Sequence, residues 1–244
     1  MMQFSSEKTL ITKENAYPIL KSFAKEYKKQ NGTNVPVELV IVGGGSILLN
    51  YGFRETTQDF DIMVQSMGLI KNVSYRIADL YNLPDNWLNT DFMHTASYSD
   101  KLREVSKHFC SFNNGSLEFR TVNAEYLIAM KMVSAREYRN DISDVVGIHI
   151  HLKKETDDFS MDRIDNAIEL LYGKRENIIR EDIYDKVKEY VKWSVSELGE
   201  EYIALTQMEH QTEHELIDIN EKYQETVNEE SIDKVIENLR RRKE

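Results

Sequence analysis

Asp59 and Asp61 have the residue type and spacing of a metal-binding pair. They stand two residues apart in Asp59-Phe60-Asp61-Ile62. Because side chains alternate between the faces of a strand, both carboxylates are expected on one face and both apolar side chains on the other. Two neighbouring carboxylates repel each other, and a divalent cation between them removes that repulsion. The pattern therefore predicts a strand that presents a divalent-cation site.

A run of glycines precedes this pair. Residues 37–42 read Val-Glu-Leu-Val-Ile-Val, which is typical of a buried strand, and Gly43-Gly44-Gly45-Ser46 follows. Glycines let backbone N–H groups approach a ligand closely, and a helix that begins there turns its positive end toward that ligand. With the Ser46 hydroxyl beside them, these groups form a predicted anion pocket suited to a triphosphate.

The order strand, Gly-Ser, twelve residues and Asp-hydrophobic-Asp resembles the signature of the DNA polymerase β-like nucleotidyltransferase superfamily. Gly45-Ser46 supplies the first part and Asp59-Phe60-Asp61 the second, with Thr57 two residues before Asp59 and Arg54 upstream. The resemblance implies that the two aspartates hold Mg²⁺ or Mn²⁺. It also implies that a nucleoside triphosphate binds near Gly44, Gly45, Ser46 and Thr57. The alternative is an ordinary α/β turn followed by a strand with solvated aspartates.

A second pattern lies in the predicted helix 124–138. Lys131 interrupts an otherwise apolar stretch, where an ammonium is costly unless it reaches water or an anion. Together with Arg136, Asp141 and Asp144, it resembles a signature of uncharacterised bacterial nucleotidyltransferase-like proteins and of nucleotidyltransferase-type toxins. The resemblance implies that Lys131 and Arg136 face the nucleotide phosphates. A lysine that snorkels from an amphipathic helix is the alternative.

A third carboxylate is expected on a later strand. Residues 108–112 and 117–122 are predicted to form a hairpin around Asn113-Asn114-Gly115, and Glu118 shares a face of it with Arg120. The superfamily usually carries a further metal ligand at such a position, which makes Glu118 the candidate. A glutamate on a solvated sheet face is the competing interpretation.

Two further features of the sequence have more than one interpretation. Trp87, in Leu83-Pro84-Asp85-Asn86-Trp87-Leu88-Asn89, is predicted to anchor the core rather than to stack on a base. His210 and His214 fit the inverted metallopeptidase pattern H-x-x-E-H, but a zinc site needs a third protein ligand that the highly charged segment does not supply.

Composition limits the possible functions. The chain has 244 residues, a formal net charge of −11 and one cysteine, Cys110. The negative charge argues against a general duplex-binding surface, and a single cysteine excludes an internal disulfide. Because the sequence shows neither a leading apolar signal run nor a membrane-length apolar segment, we expect a cytoplasmic protein.

These features together predict an α/β (α+β) fold with a small mixed sheet and flanking helices. Residues 1–152 are expected to form the nucleotidyltransferase-like domain, and residues 153–244 a helical region with an acidic tail. Between residues 196 and 230 there are eleven acids against one base, Lys222. This acidic helix is expected either to solubilise the fold or to bind a protein partner.

Two classes of function fit the pattern. The first is Mg-dependent transfer of a nucleoside monophosphate to a hydroxyl of a protein, an RNA 3′ end or a small molecule, possible in a toxin–antitoxin or defence system. The second is a non-catalytic nucleotide-binding or regulatory protein on the same fold. An incomplete set of carboxylates favours the second, and intact Asp59 and Asp61 favour the first.

Overall fold

A computed structural model describes residues 8–136, 138–155, 159–222 and 232–241. The strands are β1 (Ile11–Thr12), β2 (Val37–Ile41), β3 (Thr56–Thr57), β4 (Phe60–Met63), β5 (Leu88–Asn89), β6 (Lys107–Phe112) and β7 (Leu117–Thr121). The helices are α1 (Lys13–Asn31), α2 (Gly43–Asn50), α3 (Lys71–Tyr81), α4 (Ala124–Ser134), α5 (Asp141–Glu155), α6 (Met161–Tyr172), α7 (Glu181–Lys192), α8 (Val195–Lys222) and α9 (Ile232–Arg241).

Five strands form one mixed sheet in the order β5-β4-β2-β7-β6. β2 runs parallel to β7 and antiparallel to β4, β5 is parallel to β4, and β6 pairs antiparallel with β7. The short strands β1 and β3 make a separate antiparallel pair. The small mixed sheet, the flanking helices and the helical C-terminal part confirm the predicted fold class.

One face of the sheet is mostly apolar. Leu39, Ile41, Phe60 and Ile62 point to it and pack in one cluster with residues of α1 and α3. Trp87 is completely buried in the same cluster, and its indole N–H donates to the Ser74 carbonyl oxygen at 3.1 Å. Since a buried indole needs one such partner, Trp87 is the core anchor that the sequence predicts.

The opposite face carries the chemistry-bearing residues at one end and a second apolar cluster elsewhere. Val40, Val42 and Met63 on this face pack in one cluster with residues of α4, α5, α6, α7 and α8. The boundary that we predicted at residue 152 falls inside α5, so one continuous helix runs across it. The cluster likewise holds side chains from both sides of that position.

The ends of two helices follow local rules. α1 begins at Thr12 with a capping box, in which Asn15 N–H donates to Thr12 Oγ1 at 3.3 Å and Thr12 N–H to Asn15 Oδ1 at 2.8 Å. α4 ends at Ser134, earlier than the predicted Tyr138, because Ala135 adopts a left-handed conformation with φ of 38°. The chain therefore turns directly after α4, which brings Arg136 back toward α5.

The structure also bears on membrane association. In the part of the chain that it describes, no helix combines the length and the apolar composition that a membrane crossing requires.

Candidate active site

The aspartate pair lies against the start of α2. Asp61 belongs to β4, and its carbonyl oxygen accepts a hydrogen bond from Val42 N–H at 2.9 Å, one residue before α2 begins. A Cβ atom placed on Gly43 would lie 3.7 Å from Asp61 Oδ2. β4 thus holds a carboxylate directly over the first turn of a helix, where the free N–H groups attract anions. This is the juxtaposition that the sequence predicts.

Both aspartates are partly buried, and this changes their acidity. Burial and then the neighbouring Asp59 carboxylate raise the pKa of Asp61 to about 6. Burial also raises the pKa of Asp59, although the positive charge of Arg139 opposes the shift. A pair whose charged forms are disfavoured in this way gains from any cation that binds between its members.

β5 supplies the next polar groups. Asn89 pairs with Asp61 across the β4–β5 ladder, and its Nδ2 donates to Asp59 Oδ2 at 3.3 Å. Two residues further on, Asp91 lies close enough for its charge to raise the pKa of both aspartates. In the described part of the chain, no three His, Cys, Asp or Glu side chains converge as a metal cluster, at this pair or at His210 and His214.

The donor set of this pair nevertheless fits Mg²⁺. Carboxylate oxygens are hard ligands, and Mg²⁺ is commonly held by one or two carboxylates, with water and substrate phosphates completing the shell. Asp59 and Asp61 would supply those carboxylates, and the helix start beside them would supply N–H groups for phosphate. Two protein ligands are therefore sufficient for a site of this kind.

The glycines at the mouth of the site lie earlier in the turn than the predicted pair Gly45-Ser46. α2 begins at Gly43, so Gly43 and Gly44 are the glycines at the mouth of the site. Gly45 is buried, and a Cβ there would lie 2.5 Å from Phe60 Cδ1 and 2.9 Å from Ile41 Cγ2. Gly45 is thus required for packing of α2 on the sheet rather than for access to a ligand, whereas Gly44 keeps its predicted place.

The structure corrects the role of Ser46. This residue is fully buried, and its hydroxyl oxygen accepts a hydrogen bond from Val122 N–H at 2.9 Å. Asn50 Nδ2 donates to the Val122 carbonyl oxygen at 2.9 Å from the next turn of the same helix. The Ser46 hydroxyl therefore ties α2 to the end of β7 and does not face the predicted anion pocket.

The Thr57 side chain also contacts the protein itself rather than the mouth of the site. Its side chain is buried in β3, and its hydroxyl donates to the Asp59 carbonyl oxygen at 3.1 Å. A threonine hydroxyl that bonds the backbone two residues later stabilises a turn. The Thr57 hydroxyl thus holds the backbone at Asp59, which differs from the predicted role of binding the triphosphate.

Glu118 lies on the predicted sheet face but at the wrong end of it. It pairs with Glu38 of β2, whereas Asp61 lies opposite Val42, four residues further along that strand. At about 3.3 Å per residue, roughly 13 Å separates the two levels. The Glu118 carboxylate instead accepts from Arg120 Nη1 at 2.7 Å. The structure therefore does not bring Glu118 to the aspartate pair.

A buried ion network borders the pair. Lys131 Nζ lies 2.8 Å from Asp141 Oδ1 and 2.8 Å from Asp144 Oδ2. Arg136 Nε lies 2.9 Å from Asp141 Oδ2, and Arg54 Nη1 lies 2.7 Å from Asp144 Oδ2. Three cations and two carboxylates leave one positive charge in excess. We call these five residues the ion network.

The ion network keeps its charges fixed and acts on the aspartates. Burial opposes ionisation of Asp141, yet Lys131 and Arg136 hold its pKa well below the usual range. Burial alone would lower the pKa of Lys131, but Asp141 and Asp144 raise it. Lys131 and Arg136 both lower the pKa of Asp61, so their charge reaches the site. Lys131 therefore neither snorkels to water nor has an ammonium that is free to bind phosphate.

With this geometry in view, the chain can be compared with known proteins. The family described as "Nucleotidyltransferase of unknown function (DUF6036)" matches residues 19–196. The chain belongs to this family. The matched range contains the glycine turn, the aspartate pair and the whole ion network. We find no match among curated proteins and none among solved structures.

Within this nucleotidyltransferase family member, Arg54 is a site residue that the sequence reasoning left without a role. A Cβ on Gly44 would lie 2.9 Å from Arg54 Nη2, so the guanidinium covers the start of α2. Arg54 Nε donates to the Thr56 carbonyl oxygen and Nη1 to Asp144. Nη2 has no acceptor among the described residues. The signal in the sequence that could have identified Arg54 as a site residue is its position three residues before Thr57.

A buried glutamate of α8 lies near the same network. Glu209 is 3% exposed, and its Oε1 accepts from Ser143 N–H at 3.2 Å, while Oε2 has no partner in the described structure. Burial raises the pKa of Glu209 from 4.5 to about 7. For an acid with a raised folded-state pKa, the stabilising neutral form is present at low pH and is lost as pH rises from 4.5 through 7.

We therefore predict that Glu209→Gln makes the protein more stable at pH 8. The expected gain in unfolding free energy is roughly 3 kcal/mol, because the pKa rises from 4.5 to about 7 and one pKa unit corresponds to 1.36 kcal/mol. It should shrink as pH falls toward 5, because wild-type Glu209 then becomes neutral in the folded state. Denaturant unfolding at pH 5 and pH 8 measures both values. Glu200→Gln, at an exposed position of α8, is the control, and an equal effect of both variants would contradict the prediction.

Proposed function

We propose that this protein is an Mg²⁺-dependent nucleotidyltransferase, with Mn²⁺ as a substitute ion, that moves a nucleoside monophosphate from a nucleoside triphosphate to a hydroxyl acceptor. The observation that carries the proposal is the Asp61 carboxylate over Gly43 at the start of α2, with Asp59 beside it. Metal-binding carboxylates and an anion-binding helix start are the two parts that a metal-bound triphosphate requires. Membership of a nucleotidyltransferase family supports the same activity.

Each residue of the site has a part in this reaction. The acceptor oxygen forms a bond to the α-phosphorus, the bond between the α-phosphate and its bridging oxygen breaks, and pyrophosphate and a proton are released. Asp59 and Asp61 would hold the metal, which, when bound, supplies Lewis-acid activation of the acceptor and neutralises the leaving group. Arg54 Nη2 and the first N–H groups of α2 would bind phosphate oxygens. Arg136 adds positive charge beside Asp61.

A second candidate function rests on the absence of a third converging carboxylate in the described residues. Superfamily enzymes usually carry one, and its loss favours a protein that binds the nucleotide without transferring it. Asp91 is the best candidate for this third carboxylate, because its charge raises the pKa of both aspartates. The two candidates differ in one measurable product, pyrophosphate.

We expect Mg²⁺-dependent binding of at least one of ATP, GTP, CTP and UTP. Titration calorimetry with each nucleotide, with Mg²⁺ and with EDTA, measures it, because the aspartate pair repels a triphosphate that carries no cation. Absence of binding for all four would refute both candidate functions. Slow pyrophosphate release in the presence of water or an added hydroxyl acceptor would then favour transfer over binding alone.

A further inference from the structure

A groove lies between the loop after α4 and the two C-terminal helices. It encloses about 370 Å³, within the range of roughly 300–1,000 Å³ that is usual for ligand pockets. Its lining residues are Tyr138, Arg139, Glu213, Leu216, Ile217, Asn220 and Ile232. Neither the glycine turn nor the aspartate pair lines it, so the function proposed above does not account for this groove.

The groove is joined to the start of α2 through Arg139 and the ion network. Arg139 lines the groove. Arg136 binds Asp141 at 2.9 Å within the ion network, and Arg54 of the same network covers the start of α2. Arg136, at the phosphate side, stands three residues earlier in the chain. Three residues span at most about 10 Å. A ligand whose phosphates bind beside Arg136 and Asp61 is therefore long enough to reach the groove.

The chemistry of the lining fits a flat, mostly apolar group with a polar edge. Tyr138 supplies an aromatic face, and Leu216 and Ile217 supply apolar walls. Ile217 is 47% exposed, so part of its apolar side chain is open to a ligand in the groove. Asn220 adds an amide that both donates and accepts. Glu213 adds a carboxylate without a hydrogen-bond or ion-pair partner in the described residues, ready to accept an N–H.

We propose that this groove binds the nucleobase of the nucleoside triphosphate, with the base stacked on Tyr138 and its N–H donors directed at Glu213. This inference rests on the proposed function and extends it by assigning the end of the substrate that the glycine turn and the aspartates do not bind. α8 and α9 then form part of the substrate site. The acidic tail helix thereby gains a role besides solubilising the fold.

The test compares two ligands that share phosphates and differ in the base. Inorganic tripolyphosphate with Mg²⁺ probes the phosphate end alone, whereas the tightest-binding nucleoside triphosphate with Mg²⁺ probes both ends. Tyr138→Ala should weaken nucleotide binding about tenfold, because loss of one base–aromatic stack falls in that range. It should leave the affinity for tripolyphosphate unchanged. Tyr138→Phe, which keeps the ring, should restore nucleotide binding.

Two outcomes would overturn the proposal, and they differ from each other. If Tyr138→Ala leaves both affinities unchanged, the groove is not the base site, and the proposed nucleotidyltransferase function stands. If wild-type protein binds neither ligand, both proposals fail. Tyr75→Ala is the matched control, because Tyr75 is 46% exposed on α3, which packs on the opposite face of the sheet. An equal loss in that variant would also count against the groove.

Discussion

Asp61→Asn is expected to weaken Mg²⁺-dependent nucleotide binding strongly while the fold remains intact. The carboxylate at the start of α2 is the proposed ligand of the cation, and an amide at that place carries no charge. Loss of one charge-assisted interaction weakens binding by about 1.5–3 kcal/mol. Pyrophosphate release should fall to the background rate.

The same substitution should keep or raise thermal stability above pH 6. Burial and Asp59 raise the pKa of Asp61 to about 6, which means that its ionised form is disfavoured in the folded protein. Asparagine removes that unfavourable charge. Calorimetric titration and thermal unfolding of one preparation measure the two effects side by side. A variant that loses binding because it unfolds would contradict this assignment of Asp61.

Glu118→Gln is the matched control for this experiment. It makes the same chemical change on the same face of the sheet, at a residue whose carboxylate is bound by Arg120. Because the structure separates Glu118 from the aspartate pair, we expect this variant to bind nucleotide with unchanged affinity. A loss comparable to that of Asp61→Asn would return Glu118 to the metal site.

Lys131→Met is expected to destabilise the protein by about 3–5 kcal/mol. An unpaired lysine on an apolar helix would be replaced by methionine without loss, and this is what the sequence alone leads one to expect. The structure reverses the sign, because Lys131 binds Asp141 and Asp144 at 2.8 Å each. Its removal reduces the cations that face two buried carboxylates, and breaking a buried ion pair from one side has a large effect.

Urea unfolding of wild type and variant measures this change. Lys188→Met is the control, since Lys188 is exposed on α7, and its substitution should shift the free energy of unfolding by less than about 0.5 kcal/mol. The double variant Lys131→Met/Asp144→Asn should recover part of the loss, because it also removes one of the carboxylates left behind. An unchanged stability of Lys131→Met would show that the network does not form in solution.

The two experiments together separate the site from its support. The aspartate pair stores repulsion that a bound cation relieves, so its loss is expected to reduce binding and not stability. The ion network neutralises its own carboxylates and leaves one positive charge beside Asp61, so its loss is expected to reduce stability first. In the proposed nucleotide site, the ion network supports the side of α4 and α5, while the two aspartates proposed as metal ligands remain poorly paired.

Local chemistry in the sequence was sufficient for several features. Alternation in Asp59-Phe60-Asp61-Ile62 placed both carboxylates on one face, and the apolar run before the glycines placed a helix start near them. Trp87 in the core and the β6–β7 hairpin followed from residue type and turn chemistry. These features depend on contacts between near neighbours in the chain, for which spacing alone carries the information.

Tertiary structure decided which of the remaining residues meet. The register in which β7 pairs with β2 separates Glu118 from Asp61. The sequence of either strand alone does not determine the register between strands that are distant in the chain. Packing of α2 on the sheet turned Ser46 inward, three residues away from the glycine that faces Asp61. Arg54, Lys131 and Asp144 come from three separate segments. Whether they pair depends on how α4 and α5 cross beside the glycine turn. The spacing of residues in the sequence therefore did not show that Lys131 binds Asp141 and Asp144.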